Sequence, residues 1–143
     1  IWQSHYDRIE ETLHLQLQDL NIEYADLYLV HWPLRMYDSE KIEFQKIPMY
    51  KVWAEMENLV RKKLVKSIGV SNFNVQSLVD LLTYCEIKPV VNEVELHPYF
   101  QQKELVKFCK KFGIGIMAYN CLVLGPYMEE HKDRSKYYLF EEN

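Results

Sequence analysis

The chain of 143 residues carries 17 Lys and Arg against 21 Asp and Glu, a net charge of −4, and has no basic run of the kind that neutralises a phosphate backbone, so nucleic acid is not an expected partner. Its 48% hydrophobic and 14% aromatic content is enough for a globular core and excludes a disordered chain. The longest apolar stretch, around Ile114 to Leu124, is broken by Asn120 and falls short of the roughly 18 residues that span a bilayer, so no membrane segment is expected.

A helical pattern opens at Ser4, a candidate N-cap, and puts Ile9, Leu13, Leu17 and Leu20 on one stripe. Ala25 to Val30 is too short for a helix and too continuously apolar for a half-solvated strand, which predicts a parallel strand covered on both faces and ended by His31-Trp32-Pro33. After a polar loop, Pro48 starts a helix whose Met49, Val52, Met56 and Leu59 recur at steps of three and four. Leu64 to Val70 reads as the next strand. Asn74 caps a helix carrying Val75, Leu78, Leu81 and Leu82, which ends before Pro89, and Val90 to Val94 is a third strand.

Leu105, Phe108, Cys109 and Phe112 form the face of a further helix closed by Gly113, and Ile114 to Ala118 is a fourth strand. Residues 120–143 show no sustained period and are expected as a long loop or tail. Strand and helix thus alternate with short links, which implies an α/β fold with a parallel sheet, either doubly wound or a (β/α) barrel of TIM type, of which about four units are present.

Three cysteines, Cys85, Cys109 and Cys121, have no metal-binding or disulfide spacing and read as reduced, buried thiols of a cytoplasmic protein. Residues 1–5 have neither a basic region nor an apolar run of a secretory signal, and the lack of an initiator Met points to truncation.

In parallel β/α folds chemistry lies at the carboxyl ends of the strands. There the sequence places His31-Trp32, Ser71-Asn72, Asn92-Glu93 with Glu95 and His97, and Tyr119-Asn120. His31 is either a satisfied core histidine or a donor to a carbonyl oxygen. Ser71-Asn72 either caps the next helix or binds a ligand with the same side-chain oxygens. Tyr119 is either core or a flat face for stacking on a heterocycle. His97 with Glu93 and Glu95 does not match a zinc spacing, which favours a loop-fixing role and no metal site. The absence of GxGxxG and GxxxxGK[ST] argues against Rossmann and P-loop readings.

"ADLYLVHWP", "LVKSIGVSNF", "KPVVNEVELHPY" and "LVKFCKKFGIGIMAYN", in that order, resemble the aldo-keto reductase family across nearly all of Ser4 to Tyr119. The resemblance implies an eight-stranded barrel that reduces aldehydes or ketones with NADPH, using a catalytic group of Asp, Tyr, Lys and His. Of these the His is matched, by His31. By the same resemblance, His31 orients and polarises the substrate carbonyl, Trp32 lines the substrate pocket, Ser71 and Asn72 hold the nicotinamide carboxamide, and Tyr119 stacks on the ring. Asn120 stands where a Ser usually meets the cofactor phosphates.

Two departures bear on cofactor binding. Glu93 replaces the usual Gln, so an amide that donates and accepts becomes an acceptor-only carboxylate when ionised. The family's "AYSPLG" becomes "AYNCLVLG", which moves the Gly from the phosphate-contacting turn. A third, Lys63 in place of a Gly, carries a strain on the order of 1 kcal/mol if its backbone is left-handed.

The resemblance also implies that the strands bearing the Asp, Tyr and Lys precede this chain and that the last phosphate-binding loop follows it. The expectation is a fragment that is inactive alone and is completed by the remainder of the barrel from the same or another chain. The rival expectation, from a different class, is a catalytically degenerate barrel acting as a binding, regulatory or structural subunit.

Overall fold

The computed structural model describes residues 6–34 and 47–122, which form α1 (Ile9–Leu20), β1 (Ala25–Val30), α2 (Met49–Arg61), β2 (Val65–Ser71), α3 (Val75–Tyr84), β3 (Val91–Glu95), α4 (Lys103–Phe112) and β4 (Gly115–Tyr119). The strands make one sheet in the order β1-β2-β3-β4, every neighbouring pair parallel. This is the expected α/β alternation, a part of a TIM-type barrel, with strand limits within a residue of those read from apolar runs. The expected polar loop over residues 35–46 and the tail beyond residue 122 lie outside the described residues.

Local chemistry explains most of the element ends. The Asn74 side chain accepts a hydrogen bond from the Ser77 amide at 2.8 Å and starts α3 as an N-cap. Gly113 closes α4 at φ 72°, where a missing Cβ removes the penalty. Lys63 does adopt the left-handed region, at φ 61°, and so carries the strain that Gly would avoid. The start of α1 differs from expectation: the helix begins at Ile9 with Arg8 at the cap position and no side-chain cap bond, and Ser4 lies outside the described residues. The Tyr6 hydroxyl is occupied instead, donating to the Trp32 carbonyl at 2.6 Å and accepting from the Trp32 amide at 3.3 Å, which ties this segment to the end of β1.

Alternation along the strands sorts side chains onto two faces. Tyr28, Val30, Ile68, Val70, Asn92 and Val94 point towards the helices and are buried; Tyr28 donates to Gln16 of α1 at 2.8 Å. Ile9, Leu13 and Leu17 of α1, Val52, Trp53, Met56 and Leu59 of α2, Leu78 and Leu81 of α3, and Leu105 and Cys109 of α4 complete this core. Each fully buried large side chain contributes about 1.5–3 kcal/mol of apolar transfer. The opposite face holds Leu27 and Leu29, both partly exposed, and Met117 and Tyr119, both exposed. Of the cover expected on both sides of β1, the described residues supply the helix-facing one in full and leave Leu27 and Leu29 on the other partly exposed. On the open face Gly69 sits between neighbours so close that a Cβ would lie 2.7 Å from Leu29 Cδ2 and from Val91 Cγ1, and 2.8 Å from the Val91 carbonyl oxygen.

At the amino ends of the strands a buried carboxylate organises the turn into β3. Glu57 of α2 is 4% exposed, and its Oε1 accepts from the amides of Glu86 and Ile87 at 2.7 and 2.9 Å. Arg61, one turn on, pairs with the other oxygen at 3.3 Å, and the Trp53 indole donates to the Ile87 carbonyl at 3.0 Å. The thiols divide three ways: Cys109 is buried, Cys85 half-buried, and Cys121 exposed, contrary to the expectation of three buried cysteines.

Candidate functional site

β1 delivers His31 and Trp32 to the carboxyl end of the sheet. His31 is half-buried, and burial lowers its imidazole pKa, with the Glu93 carboxylate pulling in the opposite sense. Its ring stands edge-on to Trp32 at a centroid distance of 6.1 Å. The two hydrogen bonds with the Tyr6 hydroxyl, one donated to the Trp32 carbonyl and one accepted from its amide, fix the Trp32 backbone while the residue stays 39% exposed.

β2 ends in the buried Ser71 and then turns at Asn72, which is left-handed at φ 62°. Asn tolerates that conformation better than most residues. The Asn72 amide group donates to the His31 carbonyl at 2.9 Å and to Ser71 Oγ at 3.1 Å, and its Oδ1 accepts from the Tyr119 hydroxyl at 2.8 Å. Its backbone amide donates to the Glu93 carbonyl at 2.9 Å, the same oxygen that accepts from Ser71 Oγ at 2.9 Å. Asn72 thus joins the ends of all four strands.

Glu93 lies opposite Ser71 on one side and Met117 on the other, which places its half-buried side chain on the open face in a row with them. Tyr119, two residues beyond Met117, shares that face and is 37% exposed. Asn120 follows at φ 52° and turns its amide to Glu95, donating to Oε1 at 2.8 Å. Of the residues singled out from sequence, His31, Trp32, Ser71, Asn72, Glu93 and Tyr119 therefore meet at one end of the sheet, while the Asn120 side chain is engaged by Glu95.

Asn92 and His97, also placed at this end by the sequence, and Gln102, which the sequence did not mark, shape the loops here. Asn92 points to the helix side, is fully buried, and clips the loop after β2 by donating to the Phe73 carbonyl at 2.8 Å and accepting from its amide at 3.4 Å. Gln102, at φ 43°, donates to the Glu95 carbonyl at 2.6 Å. His97 Nδ1 accepts from the Phe100 amide at 3.1 Å, which leaves the proton on Nε2 to face Glu95 Oε1 at 3.2 Å. That geometry favours the loop-fixing role for His97; no group of three or more metal-ligating side chains converges among the described residues. Asn92 has a sequence signal, a polar residue at a core position of an apolar strand; Gln102 has none.

Between the loops after β2 and β3 is a cavity of about 180 Å³ lined by Trp32, Asn72, Phe73, Asn74, Val94, Glu95, Phe100, Gln102 and Tyr119. It combines flat aromatic surface with amide and carboxylate groups, the mixture by which proteins bind and orient small heterocycles. A larger open depression over residues 98–105 shares none of the strand-end groups His31, Ser71, Asn72 or Tyr119.

Comparison with known proteins gives a consistent picture. A family model described as "Aldo/keto reductase family" matches residues 3–142. The chain is 45% identical to aldose reductase B of Dictyostelium discoideum, covering 87% of this chain and 45% of that protein. Among solved structures it is similar to aldose reductase of Giardia lamblia, with a TM-score of 0.78 and 40% identity over 83% of this chain and 43% of that one. It is also similar to a Bombyx mori aldo-keto reductase in complex with NADP, with a TM-score of 0.77 and 33% identity over 83% of this chain and 39% of that one. The chain spans less than half the length of these relatives.

Proposed function

Because the chain belongs to the aldo/keto reductase family, we propose that it forms the cofactor-facing wall, and part of the substrate-facing wall, of an NADPH-dependent reductase of aldehydes or ketones. The observation that carries this reading is the convergence at Asn72: one side chain holds His31, Ser71 and Tyr119 in a single hydrogen-bonded set at the carboxyl end of the sheet. The Bombyx mori relative was solved in complex with NADP, and the residues here suit the group. The exposed Tyr119 ring offers a stacking face, Asn72 an amide, and the adjoining cavity is large enough for a small ring.

In this reading bound NADPH supplies the hydride. Tyr119 stacks against the nicotinamide and fixes which side faces the substrate; Ser71 and Asn72 hold the carboxamide; Asn120 lies towards the phosphates. His31, kept neutral by burial, donates to the carbonyl oxygen and helps polarise it, and Trp32 lines the substrate side. The remainder of the barrel, from the same or another chain, brings the family's Asp, Tyr and Lys and with them the proton donor, so the isolated 143-residue chain is inactive.

Glu93 favours a second reading, a barrel that has given up catalysis and serves as a binding or regulatory subunit. An ionised carboxylate beside the carboxamide site cannot donate to it and favours an oxidised, positively charged nicotinamide over the neutral reduced form. Fluorescence titration of the protein carrying this sequence decides between them. The reductase reading expects NADPH binding that weakens roughly tenfold in Tyr119→Ala and persists in Tyr119→Phe, because stacking is lost in the first and kept in the second. NADPH binding absent in the wild-type protein assayed together with the remainder of the barrel, with no turnover of a panel of small aldehydes, refutes the reductase.

A further inference from the structure

We propose that Glu95 is a positioning residue for the cofactor end of the site: its carboxylate and its carbonyl together hold two strained loops, and through Asn120 they set the Tyr119 ring. The proposal rests on the cofactor reading above and adds a residue that contacts neither cofactor nor substrate in it.

Glu95 is the last residue of β3 and lies opposite Tyr119 in the β3–β4 register. Its side chain is 19% exposed and shares one oxygen, Oε1, between Asn120 Nδ2 at 2.8 Å and His97 Nε2 at 3.2 Å. Its carbonyl accepts from Gln102 Nε2 at 2.6 Å. The next amide, Leu96, donates to the Tyr119 carbonyl at 3.3 Å. Both amide donors sit on non-glycine residues with left-handed backbones, Gln102 at φ 43° and Asn120 at φ 52°. Such conformations are uncommon for non-glycine residues, more so for Gln than for Asn, and persist where surrounding bonds over-determine them. Glu95 supplies a bond to each. Because Asn120 directly follows Tyr119, releasing Asn120 frees the peptide that aims the Tyr119 ring and its bond to Asn72.

The orientation of the donors makes the role specific to an acceptor. The Phe100 amide occupies His97 Nδ1, so His97 presents a donor to Glu95, and Asn120 presents another. Gln at position 95 keeps one acceptor oxygen able to face both donors; Ala keeps none. A merely structural acid would show as lost stability, whereas a positioning role separates the two substitutions in ligand binding.

The experiment is fluorescence titration with NADPH of the protein carrying this sequence, as wild type, Glu95→Ala and Glu95→Gln, with thermal unfolding and amide exchange of the ligand-free proteins alongside. Glu95→Ala is expected to raise the NADPH Kd about tenfold or more and to speed exchange of the Leu96 amide, as loss of charge-assisted bonds implies. Glu95→Gln is expected to stay within about threefold of wild type by both measures. A folded Glu95→Ala with unchanged Kd overturns the positioning role and leaves the cofactor reading standing. So does a Glu95→Gln that binds as weakly as Glu95→Ala at wild-type Tm. A Glu95→Ala that does not fold, with Glu95→Gln binding as wild type, marks the carboxylate as structural and likewise overturns the positioning role. Wild-type protein that binds no NADPH overturns the cofactor reading and this proposal with it.

Discussion

The two ends of the sheet hold polar networks of opposite character. At the amino end Glu57 is buried and spends one oxygen on two backbone amides, with Arg61 beside the other. Its bonds pin a turn. At the carboxyl end Asn72, Tyr119, Glu95, His97 and Asn120 bond mostly to one another's side chains, are partly exposed, and include left-handed backbones at Asn72, Gln102 and Asn120. The first network is built for stability and the second for shape, the division expected of parallel β/α folds, where chemistry gathers beyond the strand carboxyl ends. Left-handed residues at the other end, Asn21, Lys63 and Gly113, follow helices and serve only to stop them.

If the division is right, substitutions should sort by end. Glu57→Ala is expected to have the largest effect on stability, a loss of about 3 kcal/mol by denaturant unfolding, because the Glu86 and Ile87 amides and Arg61 all lose their partner. NADPH affinity per folded molecule should not change. Asn92→Ala, which strands the buried Phe73 amide, should lower stability by about 2 kcal/mol and also weaken NADPH binding, since the loop it clips carries Asn72. Little loss of binding there would show that the loop holds its shape without the clip. Lys63→Gly should raise stability by about 0.5–1 kcal/mol through relief of the left-handed strain, read as a higher unfolding midpoint with binding untouched.

A pH series gives the smallest effect. Burial depresses the His31 pKa, so its contribution to stability is complete above the unfolded value of about 6.5 and is lost as pH falls through the lower folded value. His31→Gln should flatten that acid limb in chemical unfolding at pH 5 to 7.

Periodicity and punctuation made the fold legible. Continuous apolar runs located all four strands, Asn74 and Gly113 marked helix ends by chemistry that depends only on neighbours in sequence, and the left-handed turn at Lys63 followed from the Gly it replaces. The helical stripe of α1 did not reveal where the helix begins, because Tyr6 answers to Trp32, 26 residues away. The candidate site was legible as a set of polar residues at strand ends, not as a network. Which amide faces which carboxylate depends on register: β3 against β4 brings Glu95 to Asn120, and no local pattern encodes that pairing. Glu57 escaped notice for a related reason. It lies among apolar positions one turn after Trp53, and its partners come from a different connection.

Asn72 carries a consequence of another kind. Its backbone is left-handed and its short amide reaches β1 and β4 at once, so few residues can stand there: Gly would keep the turn and lose the reach, and Gln would overreach and resist the turn. A ligand that takes an N–H of that amide displaces it from the His31 carbonyl or from Ser71 Oγ, on the same group whose oxygen accepts from Tyr119. Occupancy at one strand would therefore be felt at the far one, and an isotope-labelled Asn72 side chain would register arrivals at both.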